Sequence, residues 1–256
     1  MERKAALRFL ETALRTVFQE VKRSVPYENY NKSRFDEVTS LDFCMETELI
    51  ARIKAYDSHA RFLSEEYNSS AELEQNMWVI DPIDGTCNLT HGIHTYGIQC
   101  AYCENGAPVF AAVYFPFSDE MFTAIGGEGA WLNGVRIKAA SRPAERALIS
   151  FGDFMRDEEL YAMERQIMDH VARRVERIRM YGAASMDFCY AACGRLDGSF
   201  TFTPNLWDIL PGLLICKEAG LVISDAYGRP YTVSGSATVA VFSTKELQDL
   251  CTAWWK

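Results

Sequence analysis

Apolar side chains recur three and four residues apart near the start of the chain. Ala6, Phe9, Leu10, Ala13, Leu14, Val17, Phe18 and Val21 fall on one stripe, which predicts an amphipathic helix over about residues 3–22. A second helix is expected to begin near Thr39 or Ser40. Thr39 and Asp42 stand there in the relation of a capping box, with Asp where Glu reaches better. Asp42 and Glu46, four apart, share one face of that helix. From residue 62 to residue 138 the period shortens. Residues 78–80, 96–102, 108–115 and 120–125 are short β-branched or aromatic runs between turn residues. Asn133-Gly134, between Trp131-Leu132 and Val135-Arg136-Ile137, marks a hairpin. This block predicts a largely antiparallel sheet with helices packed on it.

After residues 139–143 strands and helices alternate. Strands are expected at 147–151, 178–181, about 199–202 and 239–242. Helices are expected at 158–171, in a stretch ending at Cys193, from about 207 to 219, and near the end, where Ser243 with Glu246 reads as a capping box. Such alternation indicates α/β layering. The expected division is an N-terminal α+β subdomain, residues 1–143, and a C-terminal α/β subdomain, residues 144–256, with the functional site at their interface.

Composition narrows the class. A chain of 256 residues can build one large core or two modest ones, and 48% apolar with 24% charged residues is ordinary for a soluble globular protein. A formal charge of −9 argues against nucleic acid or an anionic membrane as the main partner. No basic-then-apolar leader opens the chain, and no run approaches the ~20 apolar residues of a membrane span. The eight cysteines are scattered, so they read as reduced thiols in a cytoplasmic protein. Cys100 and Cys103 form a C-x-x-C, but on a strand their odd spacing sends them to opposite faces, against a zinc site.

The chemistry concentrates in Trp78-Val79-Ile80-Asp81-Pro82-Ile83-Asp84-Gly85-Thr86. Two carboxylates three residues apart follow an apolar strand on a turn held by Pro82. Carboxylate oxygens suit hard divalent cations such as Mg²⁺. The Gly85-Thr86 step adds backbone N–H groups and a hydroxyl, a combination that suits phosphate held against metal ions. Two residues at a time, Asp-Pro and Asp-Gly are also ordinary turn punctuation. Glu65-Glu66 could face this turn or simply be solvated. Asp208, in the first turn of a helix, reads locally as a dipole partner. His91 and His94 read as loop or core residues rather than a metal pair, and Arg173, Arg174, Arg177 and Arg179 as a solvated face. The serine-hydrolase elbow and the Walker loop are absent from the sequence.

Assembled, these motifs resemble the inositol monophosphatase family of magnesium-dependent, lithium-sensitive phosphatases. The central match is Trp78 to Asn88. Asp36-Glu37-Val38-Thr39-Ser40-Leu41-Asp42 with Glu46 resembles its D-x-V-T-x-x-D-x-x-x-E, and Ser64-Glu65-Glu66 its G-E-E. Trp207-Asp208 with Glu218-Ala219-Gly220 resembles its W-D…E-A-G-G, Leu221 replacing the last Gly, and Gly126 to Gly134 also fits. The resemblance implies a mixed α+β / α/β fold, a layered α-β-α-β-α sandwich of the inositol monophosphatase and fructose-1,6-bisphosphatase type, usually a homodimer. It implies two or three Mg²⁺ held by Glu65, Asp81, Asp84, Asp208 and the Ile83 carbonyl. Glu65, Thr86 and Asp42 would orient and deprotonate a water for direct attack on a small phosphate monoester. Asp84, Gly85, Thr86, Gly182, Ala183 and Thr201 would contact substrate. Two positions depart from the polyol-binding pattern: Thr201 stands where many relatives place an acid, and Ala183 where they place a hydroxyl. Inositol phosphate, histidinol phosphate, a nucleotide 3′-phosphate and a fructose bisphosphate therefore stay open. So does a non-catalytic relative that binds metal or metabolite, or an assembly role.

Overall fold

A computed structural model describes residues 2–34, 36–73, 75–203, 205–233 and 238–255. Helix α1 (Arg3–Ser24) leads into a hairpin of β1 (Asn29–Ser33) and β2 (Asp36–Thr39), then α2 (Ser40–Tyr56). Strands β3 (Phe62–Ser64) and β4 (Asn76–Asp84) precede a one-turn helix α3 (Thr86–Thr90). A meander follows: β5 (Gly97–Glu104), β6 (Ala107–Phe115), β7 (Glu120–Ile125), β8 (Gly129–Leu132) and β9 (Val135–Ile137). The remainder is β10 (Leu148–Phe151), α4 (Glu158–Ala172), β11 (Arg177–Arg179), α5 (Ala184–Ala192), β12 (Gly198–Phe202), α6 (Leu206–Glu218), β13 (Val222–Ser224), β14 (Thr238–Phe242) and α7 (Lys245–Cys251).

Strands β3 to β9 form one seven-stranded sheet in chain order, antiparallel except for the parallel β3–β4 pair. A second, five-stranded sheet runs β11-β10-β12-β14-β13. Side-chain alternation then stacks the layers. On β6, Phe110, Ala112 and Tyr114 face the buried stripe of α1 and α2, while Ala111, Val113 and Phe115 face α5 and α6. On β14, Val239 and Val241 face α5 and α6, whereas Ala240 and Phe242 face α4 and α7. Both sheets are thus covered on both faces, giving helix–sheet–helix–sheet–helix, as the resemblance implied. Apolar burial on both sides of each sheet is the main stabilising term. Trp78, fully buried against Tyr102 and Phe110, anchors the first sheet; its truncation to Ala is expected to cost about 3–5 kcal/mol.

Several details differ from the sequence reading. Leu7 takes a buried place on α1, while Phe9 is only partly covered and stacks on Tyr56. The β1–β2 hairpin was not expected, because every residue of β1 is exposed and shows no alternation. Helix α3 buries no residue and so carries no apolar period, and the three-residue β13 is too short to show one. Strand β11 ends at Arg179, two residues before the expected limit. Thr244, not Ser243, caps the last helix, its hydroxyl accepting from the Leu247 N–H. Cys100 and Cys103 do lie on opposite faces of the first sheet.

Candidate functional site

The Asp81–Asp84 turn is built by a break in pairing. Asp81 pairs with Gln99 and Asp84 with Gly97, so three steps on β4 oppose two on β5. Pro82 has no N–H to donate, which suits it to such a break. The extra residue restores parity: carboxylates three apart, which a regular strand would send to opposite faces, now line one pocket. Gly97 must be glycine, because a Cβ would lie 2.8 Å from both Ser185 Oγ and a carbon of the Phe115 ring. Gly85, at φ +88°, starts α3 in the left-handed region.

Each carboxylate has its own support. Asp84 accepts from the first N–H groups of α5, Ala184 N at 3.3 Å and Ser185 N at 2.6 Å. Asp81 accepts from Gln99 Nε2 at 3.1 Å through one oxygen, while the other is buried without a hydrogen-bond partner among the described residues. Asp208, which read locally as a helix cap, accepts from Thr203 Oγ1 at 2.8 Å and Asn205 Nδ2 at 3.3 Å and lines the same pocket. Glu65 lines it from the turn after β3, with Lys32 Nζ of the β1–β2 hairpin at 3.0 Å. The same ammonium lies 2.7 Å from Glu66.

This pocket, about 300 Å³, brings together Glu65, Asp81, Ile83, Asp84, Gly85, Thr86 and Asp208. A pocket of about 330 Å³ beside Asp57, His59 and Arg61 has no comparable set of acids. Burial is the first cause of the raised carboxyl pKa values, and mutual repulsion adds to it. Burial, with Glu66 and Asp208 beyond it, pushes Glu65 up to about 8 against the pull of Lys32. Burial pushes Asp84 up to about 6 despite its donors on α5. Burial and then Asp84 push Asp208 up to about 7, and burial with Glu65, Asp84 and Asp208 holds Asp81 well above the carboxylate range. Such a set is relieved by a cation. Among the described residues no three acid, histidine or cysteine side chains close into a ready-made metal cage. Magnesium does not need one, because it keeps several of its waters. The oxygen donors and the orphaned Asp81 oxygen fit such an ion.

Behind the turn, Thr86 Oγ1 lies 2.9 Å from both Asp42 Oδ1 and the Ile83 carbonyl. Asp42 is fully buried at the start of α2, where the capping box with Thr39 forms, and burial raises its carboxyl. Two motif residues prove structural. Glu46 accepts from Ser64 Oγ, from Glu66 N at 2.8 Å and from Tyr67 N at 3.0 Å, so it holds the turn that carries Glu65. Ser64, in place of Gly, supplies one of those donors. Glu218 accepts from Gly127 N and Gly129 N, both at 2.9 Å, and ties α6 to the β7–β8 turn.

Not every expected contact lies at the pocket. Gly182 and Ala183 pack against Gly85, where an added Cβ would sit 3.1 Å from Ala183 Cβ, but they are not on the pocket wall. Thr201 is buried in β12 with its hydroxyl unpartnered, off that wall as well. His94 stacks on Phe117 and His91 turns to Cys87, so the two are not paired. Arg173 pairs with Asp169 on the surface. Sequence reasoning missed Glu37, Cys87 and Asp153, all on the pocket wall. Asp153 had a signal: it follows the C-terminal end of β10, which runs parallel to β11 and β12, where α/β sheets present ligand-binding loops.

Comparison with known proteins agrees with this geometry. The sequence profile described as the inositol monophosphatase family matches residues 2–256. The Nus factor SuhB of Pseudomonas aeruginosa is 34% identical over 230 residues, covering 87% of this chain and 84% of that protein. The fructose-1,6-bisphosphatase/inositol-1-monophosphatase of Thermotoga maritima is 32% identical, covering 76% of this chain and 73% of that protein. The crystal structure of the extragenic suppressor protein SuhB from Bartonella henselae superposes with a TM-score of 0.89 at 26% identity, covering 98% of this chain and 99% of that one. On this match over its whole length, the chain belongs to the inositol monophosphatase family.

Proposed function

We propose that the protein hydrolyses a small phosphate monoester with magnesium, at a site between residues 1–143 and 144–256. The observation that supports this most is the pocket where Glu65, Asp81, Asp84 and Asp208 meet Gly85-Thr86. Glu65, Asp81, Asp84, Asp208 and the Ile83 carbonyl would hold two or three ions. Bound magnesium supplies charge neutralisation for the phosphate and an acidified water.

The chain's own groups do the rest. The first N–H groups of α3 have no partner within the helix and point their dipoles toward a phosphate oxygen. Thr86 donates its proton to Asp42, which leaves the Thr86 oxygen free to accept one from the attacking water. Glu65, which lines the same pocket, orients that water and shares the base role. Asp42, Thr86 and Glu65 thus act as a relay on the water itself, in line with the ester bond. Asp84, held by α5, keeps its lone pairs aimed at the pocket. The Gly182-Ala183 step acts on substrate, in this reading, by packing behind Gly85. Lithium inhibition, a homodimer and a cytoplasmic setting complete the proposal.

A second reading comes from relatives named Nus factor, a name that describes no hydrolysis. In it the chain is a non-catalytic relative that keeps the pocket for binding. Phosphate release from inositol, sugar, histidinol and nucleotide 3′-phosphates, with Mg²⁺ and with chelator, separates the two. Turnover that needs both Mg²⁺ and Asp84 is the expected result. Magnesium binding by calorimetry without turnover on any ester would favour the second.

A further inference from the structure

The pocket carries two carboxylates more than the proposed chemistry uses, Glu37 and Asp153, and Asp153 bears on selectivity. Asp153 lines the pocket from the connection between β10 and α4, close enough to act on Asp84. That connection is anchored rather than loose. Gly152 N donates to the Phe200 carbonyl at 2.9 Å. Met155 N donates to both oxygens of the buried Glu164, at 3.2 and 3.1 Å. Asp157 then caps α4. Asp153 is itself exposed to the pocket, and among the described residues it makes no hydrogen bond and no ion pair.

The charges that bear on Asp153 from packed elements are acidic: Asp84 from β4, Asp187 from α5 and Glu164 from α4. Among the described residues no Lys, Arg or His lines the pocket, and Lys32 is committed to Glu65 and Glu66. Glu37, the other additional acid, already accepts from Thr90 Oγ1 at 2.9 Å. A phosphate dianion whose alcohol portion is neutral therefore meets an uncompensated negative charge at Asp153. An alcohol portion with a protonated amine turns that repulsion into attraction.

We propose that the preferred substrate is a phosphate ester of an amino alcohol, and that Asp153 selects it by facing the ammonium group. The proposal rests on the phosphatase reading above. It is a claim about which ester, so the matched probes are serinol phosphate and glycerol 1-phosphate, which differ by an ammonium in place of a hydroxyl. With Mg²⁺, kcat/KM for serinol phosphate is expected to exceed that for glycerol 1-phosphate by about tenfold or more. The ratio is expected to collapse toward one in Asp153→Asn and to invert in Asp153→Lys, with the change carried by KM. Added salt lowers the wild-type ratio, because Asp153 is exposed. Equal turnover of both esters by the wild type, or a ratio that Asp153→Asn leaves unchanged, overturns this inference while the phosphatase reading stands. No hydrolysis of either ester, or of any other phosphate, overturns the phosphatase reading and this inference together.

Discussion

Asp81, Asp84 and Glu65 line one pocket, with Glu66 next to Glu65, and the two pairs of acids are held in opposite ways. Asp81 and Asp84 sit on a strand whose Trp78, Val79 and Ile80 are fully buried, and their donors come from the neighbouring strand and from α5. Glu65 and Glu66 sit on a short turn, and their partner is the half-covered ammonium of Lys32 on an outlying hairpin strand. The first pair is oriented by the core itself. The second is oriented by another charge, which a cation arriving at the pocket must displace. One wall of the site is thus built in, and the other is set by competition between an ammonium and a metal ion.

The sharpest way to break this comparison is to exchange one acid from each pair for its amide. Asp84→Asn is expected to lower kcat/KM by more than about a hundredfold, beyond what supporting partners alone are worth. It also sets an amide NH₂ against the α5 N–H groups, so stability falls by about 1–3 kcal/mol. Glu65→Gln is expected to lose activity while its melting temperature holds or rises. Equal destabilisation by the two, read by thermal melts, would remove the distinction.

Thr86→Val tests the rigid wall without touching a proposed ligand. Losing the relay to Asp42 is expected to lower kcat by about 10² or more, with Mg²⁺ affinity by calorimetry nearly unchanged. A KM effect alone would reassign Thr86 to substrate binding.

Lys32→Gln probes the competitive wall. Freed from its ammonium, Glu65 is expected to bind Mg²⁺ a few-fold more tightly, seen as a lower Mg²⁺ concentration for half-maximal rate. Weaker Mg²⁺ binding would mean that Lys32 orders Glu65 rather than competes for it.

The smallest expected effect is on pH and stability. Folding raises Glu65 to about 8, Asp208 to about 7 and Asp84 to about 6, whereas unfolded carboxyls titrate near 4. Between those limits the folded protein binds more protons than the unfolded one. Metal-free stability is therefore fullest below about pH 4 as far as these groups contribute, and is lost as pH rises through about 8. Added Mg²⁺ is expected to flatten that slope by neutralising the same acids. Melting curves from pH 5 to 9, with and without Mg²⁺, check this; an unchanged slope would separate these carboxyls from the metal.

The two halves of the site also differ in how far they could be read in advance. The α1 stripe, the Thr39–Asp42 cap, the Asn133-Gly134 hairpin and the Asp81–Asp84 turn are local patterns, and each formed where its residues predicted. Their information lies within a few residues, in periodicity and turn chemistry. The exposed β1 strand, one-turn α3 and short β13 carry no such period, and so they were invisible. Glu46 and Glu218 stood in motifs that suggested chemistry, and they turned out to brace loops through backbone N–H groups.

The sequence alone determined which acids are present, which short turn presents Asp81 and Asp84, and that the layers would alternate. Only the tertiary structure decided that Asp208 joins them, that Lys32 lies between Glu65 and Glu66, and that Asp153 faces the same pocket. The physical reason is range. Capping, turns and periodicity act over a few residues, whereas repulsion among carboxylates and their relief by a cation depend on distance in space, which the packing of α5 and α6 between two sheets sets.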